Sequence, residues 1–139
     1  MTGQETRNKL TDYWKDHKVE KPDDFALLTN IIHEEWTGLS IKKHKIIKSL
    51  TTQNLRDHMS EAELIFTALA ELSTRQIAEV KGAQGVPENA VAGQRGGAVA
   101  KRAKIDFEKE TGQKVVTGEN FLPPLLEEVK KLNKTRKPT

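Results

Sequence analysis

The chain of 139 residues contains no cysteine. This absence excludes disulfide bonds and thiolate metal sites, and it fits a reducing cytosol. Aromatic residues make up only 5% of the chain, so a core must be built mainly from Leu, Ile, Val and Ala. No apolar run approaches the ~18–20 residues of a membrane-spanning helix, and the N-terminus has no signal-peptide pattern. Together these absences predict a soluble cytoplasmic protein that makes no contact with a membrane.

Alternating apolar and polar runs of useful length are also missing, whereas spacings of three and four between apolar residues are frequent. The pattern predicts an all-α fold, a compact bundle of five to six helices. One very short β-ribbon near 115–117 is the alternative left open. The length favours a single main domain. We assign residues 1–20 to an N-terminal helix that could be loosely packed, 21–132 to the helical domain and 133–139 to a flexible basic tail.

Local signals place the helix boundaries. Pro22, followed by two aspartates, fits a helix start. Ser60-Glu61-Ala62-Glu63 is a capping box, which predicts that Ser60 and Glu63 cap a long helix. Further helices are predicted over 4–17, from Ser40 to Leu50, from Glu88 to Thr111 and from Leu125 to Leu132.

Two helical faces carry the large apolar side chains, one after Pro22 and one after Ser60. Because each of these two helices is amphipathic, we expect their apolar faces to pack against each other. The predicted core residues are Phe25, Leu28, Ile32, Trp36, Leu64, Ile65, Leu69 and Leu72.

The net charge of +3 hides an uneven distribution of positive residues. Basic residues concentrate in 40–58 and in 95–104, and both groups are predicted to lie on outward helix faces. They are either ordinary solvated surfaces or contacts to nucleic-acid phosphates. No aromatic residue is interleaved to stack a base, so any DNA contact would be nonspecific. The candidate residues for binding nucleic acid or a partner are Lys42, Lys43, Lys45, Lys48, Arg95, Lys101, Arg102 and Lys104.

Three glycines fall inside the helix predicted from Glu88 to Thr111. Gly93, Gly96 and Gly97 would each cost ~1 kcal/mol relative to alanine in a helix interior. Close packing against a neighbouring element, a loop that delays the helix to Gly97, and backbone approach to a phosphate are the three explanations left open.

Catalytic and metal-binding patterns are not recognisable. The histidines His17, His33, His44 and His58 match no metal-ligand spacing. Arg56-Asp57-His58 has no nucleophile or oxyanion device nearby in the sequence, so Arg56 and Asp57 are interpreted as a structural ion pair or cap before Ser60. We therefore predict a non-enzymatic protein without metal or other cofactor.

Several short segments of the sequence resemble the C-terminal region of DNA-damage-inducible protein D. The same region also follows BRO-type domains in some prophage antirepressors. The resemblance covers about residues 24–122 and implies a role in the bacterial DNA-damage (SOS) response or in phage regulation, without enzymatic activity. The N-terminal BRO-type domain of those relatives, commonly credited with DNA binding, has no counterpart here. A second departure is the segment 31–36. The matching segments are 25–30, 36–39, Asn54-Leu55-Arg56-Asp57-His58-Met59-Ser60, Glu63-Leu64, 97–100 and Thr111-Gly112-Gln113-Lys114-Val115-Val116.

Three hypotheses for function follow. The first is a non-enzymatic regulator of phage, prophage or mobile-element origin that binds a bacterial or phage protein of DNA repair, repression or host defence. The second is a nucleic-acid-binding module that uses the basic segments 42–48 and 95–104. The third is a structural module that forms homo-oligomers or pairs with a larger relative.

Overall fold

The computed structural model describes residues 3–118, and this part of the chain is all-helical. The prediction of an all-α fold is confirmed, and no strand forms at 115–117 or elsewhere in the described range. The predicted last helix and the basic tail lie outside the described residues. None of the described helices is long and apolar enough to cross a membrane. The elements are α1 (Gly3–Asp16), α2 (Pro22–Thr37), α3 (Ile41–Ile47), a 3-10 helix (Leu55–His58), α4 (Glu61–Lys81) and α5 (Gly85–Thr111).

The helix ends follow the local sequence signals. The Ser60 hydroxyl accepts a hydrogen bond from Glu63 N at 3.1 Å, and Glu63 Oε1 accepts one from Ser60 N at 2.9 Å, so the predicted capping box is confirmed. Gly82 ends α4 with a φ of 64°, a left-handed conformation that glycine adopts without strain. α5 begins at Gly85, slightly earlier than the predicted Glu88.

Helices α4 and α5 form an antiparallel hairpin around which the other elements pack. Helix α2 lies mainly on α5, and α1 lies on α4. Leu10 and Trp14 are fully buried, so α1 belongs to the common core and is not loosely packed. The Tyr13 hydroxyl also reaches the turn of the hairpin, lying 2.9 Å from Ala78 O and 3.0 Å from Ala83 O.

The core differs from the predicted one in the rotation of α4. On α2, Leu28, Ile32 and Trp36 are buried as predicted, but Leu64 and Ile65 on α4 remain 41% and 57% exposed, so that prediction is wrong for both. Phe25 and Leu69 are partly buried against the core, and Leu72 is half-buried. The buried side of α4 consists of Glu63, Phe66, Thr67, Ala70, Glu71, Thr74 and Ala78.

The glycines of α5 explain this rotation. A Cβ atom on Gly96 would lie only 2.6 Å from Thr74 Cα, and one on Gly97 would lie 2.6 Å from Glu35 Cβ. All three glycines lie within α5, so the packing explanation is confirmed and the loop explanation is wrong. At Gly96, helix α4 therefore presents the small residue Thr74 to α5, because a larger side chain would not allow the two backbones to approach this closely.

Candidate functional site

Glu63 lies at the centre of a buried charge network at the start of α4. Its Oε2 atom lies 2.7 Å from His44 Nε2, and its Oε1 atom lies 2.7 Å from Lys48 Nζ; all three side chains are 0% exposed. Burial acts to raise the pKa of Glu63, but the hydrogen bonds from His44, Lys48 and Ser60 outweigh it and lower that pKa. The carboxylate is therefore ionised at neutral pH and pairs with the ammonium group of Lys48.

His33 extends this network toward the surface. Its Nε2 atom lies 2.9 Å from His44 Nδ1. Burial, together with the charges of His44 and Arg56, lowers the pKa of His33 to about 3, so its ring is neutral at neutral pH. The two ring nitrogens of His44 thus join the Glu63 carboxylate to the ring of His33.

A second buried carboxylate, Glu71, holds two arginines from distant parts of the chain. Arg7 Nη1 donates to Glu71 Oε2 at 3.1 Å, and Arg56 Nη2 donates to the same oxygen. Arg7 Nη2 also donates to Thr29 Oγ1 at 2.6 Å. Burial and the neighbouring charge of Arg56 lower the pKa of Arg7, while Glu71 raises it. Arg56 thus pairs with Glu71 and not with the exposed Asp57, which corrects the ion pair expected from the sequence.

A cavity of about 500 Å³ opens beside both networks. It is bounded by α1, α2, α3, the segment around the 3-10 helix and one residue of α4, and three cationic side chains reach its wall. Arg7, His33 and Arg56 did not emerge as site residues from the sequence, because the elements that supply them are far apart along the chain. The lining residues are Gln4, Arg7, Thr29, His33, Ile41, Lys45, Thr52, Asn54, Leu55, Arg56, Met59 and Thr67.

The predicted basic residues of α3 divide into three environments. Lys42 and Lys43 are exposed, and Lys45 is half-buried on the cavity wall. Lys48 is buried, which contradicts its predicted outward position. The reason is that Lys48 stands at the C-cap of α3, where the chain turns, and its ammonium group points inward to Glu63.

The predicted basic residues of α5 differ in exposure, and one of them, Arg95, lies far from α3. Lys101 and Arg102 are exposed, and Lys104 is half-buried. Arg95 is exposed near the C-terminal end of α4, where it borders a cavity of about 310 Å³ together with Ile77 and Lys81. At about 1.5 Å per residue, the α4 residues beside Arg95 lie ~20 Å or more along the helix from Glu63. Arg95 is thus well separated from the end of α4 that contacts α3.

A groove lies next to the basic cavity on the outer side of α4. It has a volume of about 610 Å³, and Leu64, Ile65 and Ala68 form its apolar floor. Asp57 and Glu61 stand at its edge, and both are exposed. Arg56 lines both the groove and the basic cavity, so the two concave surfaces are continuous.

No protein-family model, no curated protein and no solved structure matches this chain.

His33 and His44 are poorly placed to act as general bases. A general base works best when its pKa lies near the operating pH, and the pKa of His33 lies far below neutrality. His44 is enclosed completely, and its ring nitrogens contact Glu63 and His33. In residues 3–118, no group of three or more histidine or acidic residues is arranged to hold a metal ion.

Proposed function

We propose that this chain is a non-enzymatic regulator that binds a protein partner through the groove on the outer side of α4. The resemblance to the C-terminal region of DNA-damage-inducible protein D supplies the biological setting. In that setting, the partner belongs to bacterial DNA repair, to repression by a phage or prophage, or to host defence.

The orientation of α4 is the observation that carries this proposal. The helix buries Glu63 and Glu71 and leaves the large aliphatic side chains of Leu64 and Ile65 in contact with solvent. The two aliphatic residues are adjacent and line one concave surface with Ala68. Contiguous exposed apolar surface beside polar residues is typical of protein interaction sites.

The charges at the edge of the groove indicate the chemistry of the partner. Asp57 and Glu61 are exposed there, whereas the guanidinium group of Arg56 is engaged by Glu71. An amphipathic helix that places apolar side chains on Leu64 and Ile65, with lysine or arginine at its border, fits this pattern. The groove then selects a basic-flanked apolar segment.

The proposal is tested by affinity capture, in which the chain is used to retain its partner from bacterial cells with and without DNA damage. The wild type is compared with a double variant, Leu64→Ser with Ile65→Ser, that alters the groove. Val80→Ser is the matched control, since Val80 is 84% exposed on the same helix and does not line the groove. We expect the wild type and the control to retain the same partner, and the double variant to lose it. The purified partner should bind less tightly after Asp57→Lys and Glu61→Lys.

Two outcomes would contradict the proposal. Equal retention of the partner by the groove variant would show that binding occurs elsewhere. Self-association of the wild-type chain in sedimentation experiments, abolished by the groove substitutions, would instead assign the groove to homo-oligomer formation.

A second candidate function, nonspecific DNA binding, is favoured by one observation. Lys42, Lys43, Arg95, Lys101 and Arg102 are exposed, and none forms an ion pair within the described part of the chain. Titration with duplex and single-stranded DNA at several salt concentrations tests it, with an expected slope of about −0.9 in log K per phosphate contacted on duplex DNA. Arg95→Glu with Arg102→Glu should abolish the binding if it occurs.

A further inference from the structure

The cavity among α1, α2, α3 and the 3-10 helix carries more positive charge than its surroundings neutralise. Arg7, Lys45 and Arg56 reach its wall. Glu71 pairs with both arginines, whereas Lys45 has no ion-pair partner among residues 3–118. The other buried carboxylate nearby, Glu63, is neutralised by Lys48. Two positive charges are left uncompensated at this cavity.

The two arginines are held in place before any ligand arrives. Both donate to one oxygen of Glu71, a side chain that is only 2% exposed, while Arg7 and Arg56 are themselves 20% and 28% exposed. Thr29 fixes a second nitrogen of Arg7. Because these side chains are already ordered, an anion that binds them avoids most of the entropy cost of ordering them. Glu71 thus serves as a positioning residue for two guanidinium groups that would otherwise repel each other.

We propose that this cavity binds a phosphate group, carried by a small phosphorylated molecule. A phosphate monoester carries about −1.5 to −2 charges at neutral pH, which matches the two uncompensated cations, whereas a carboxylate would neutralise only one. Arginine forks and a lysine are the side chains that recognise phosphate oxygens. The volume of about 500 Å³ lies within the ~300–1,000 Å³ of ordinary small-molecule sites.

Apart from the cationic side chains, the cavity wall offers few groups that could select the remainder of the ligand. Thr29 and Asn54 supply further polar groups, and Met59 and Leu55 supply apolar surface. His33 contributes the single ring to the lining among the described residues. Recognition therefore centres on the phosphate group. The site shares Arg56 with the proposed partner groove, but Leu64 and Ile65 line only the groove, so each site can be altered separately.

Isothermal titration of the full chain at constant ionic strength tests this site with three probes: inorganic phosphate, adenosine 5′-monophosphate and adenosine. We expect saturable binding of the two phosphate-containing probes and none of adenosine. Absence of saturable binding by both phosphate probes in the low millimolar range would overturn the proposal. Binding of adenosine as tight as that of its monophosphate would overturn it as well.

Substitutions on α3 separate a specific site from the general positive field. Lys45→Gln should weaken phosphate binding by about tenfold or more, as expected for the loss of a charge-assisted hydrogen bond. Lys43→Gln removes the same charge from an exposed position that does not line the cavity and should leave the affinity unchanged. An equal loss in both variants would overturn the site.

Two further variants complete the test. Arg56→Gln should also abolish binding, and circular dichroism will show whether it remains folded; Lys45→Gln decides the outcome if Arg56→Gln does not fold. The Leu64→Ser and Ile65→Ser variant should bind phosphate like the wild type. Failure of the phosphate site is thereby distinguishable from failure of the partner groove.

Discussion

Glu63 serves two parts of the molecule at once. Its Oε1 atom accepts a hydrogen bond from Ser60 N, which caps the first turn of α4, and also pairs with Lys48 Nζ. Its Oε2 atom contacts His44 Nε2. The local half of this role is visible in the sequence, because the capping box spans only residues 60–63. The non-local half is not, because Lys48 belongs to a run of basic residues whose other members face solvent or the cavity wall. No local signal distinguishes the one lysine that turns inward.

Removing the charge of Glu63 should destabilise the fold strongly. Glu63→Gln leaves the ammonium group of Lys48 buried without its counter-charge, so we expect a loss of ~3–5 kcal/mol in the free energy of unfolding. Urea denaturation measures this loss. Glu61→Gln is the control, since Glu61 is exposed in the same first turn, and it should change stability by less than about 0.5 kcal/mol. If Lys48→Met combined with Glu63→Gln is as unstable as Glu63→Gln alone, the unpaired lysine is not the cause.

His33 should make the protein less stable in mild acid. The folded protein protonates His33 only near pH 3, whereas the ordinary value in an unfolded chain is 6.5. Between these values the unfolded chain binds more protons, so stability rises with pH by up to about 1.4 kcal/mol per pH unit from this residue. Urea denaturation between about pH 5 and 6.5 isolates histidines from carboxylates. His33→Gln should flatten the dependence, and an unchanged slope in this variant would contradict the assignment.

At the scale of elements, the contact between α4 and α5 depends on the absence of a side chain at Gly96 of α5. Its glycines create a surface without side chains, and Thr74 of α4 packs directly onto it. Leu64 and Ile65 of α4 are turned away from this contact and remain exposed. The sequence could not reveal this rotation, because α4 carries apolar residues around most of its circumference and its buried glutamates look like ordinary surface residues.

Alanine at Gly96 should destabilise the protein. In an open helix position this change would stabilise by about 1 kcal/mol, but here the new Cβ would meet the backbone of Thr74. We expect a loss of ~1–3 kcal/mol from overpacking. Thermal denaturation should rank Gly93→Ala as milder, since its Cβ would lie 3.0 Å from a side-chain atom of Ile32 that can move. A Gly96→Ala variant more stable than the wild type would refute this packing.

Truncating two neighbouring residues of α4, Phe66 and Ile65, should change the stability of the protein by very different amounts. Phe66 is 8% exposed and contacts the rings of Trp36 and Phe107, so Phe66→Ala should cost ~3–5 kcal/mol. Ile65→Ser changes an exposed side chain and should stay within about 0.5 kcal/mol of the wild type. Urea denaturation of both variants checks the rotation of the helix, and a large loss in Ile65→Ser would show that this face is covered.

At the scale of the whole molecule, the helices were predictable and their assembly was not. Pro22, the capping box and Gly82 act within a few residues of the chain, so they fix where helices begin and end. The basic cavity depends on contacts such as that of Arg7 with Glu71, which are 64 residues apart. Residue type alone does not show which arginine will meet which glutamate, because that depends on how α1 docks against α4.

The docking of α1 has a consequence for the order of events during synthesis. Tyr13 reaches Ala78 and Ala83, residues that leave the ribosome long after α1. At about 5–20 residues per second, the newly made helix waits ~4–14 s before its binding surface on the hairpin exists. Throughout that interval Leu10 and Trp14, fully buried in the finished protein, lack the packing that α4 supplies. During that interval the apolar face of nascent α1 is a surface to which a chaperone can bind.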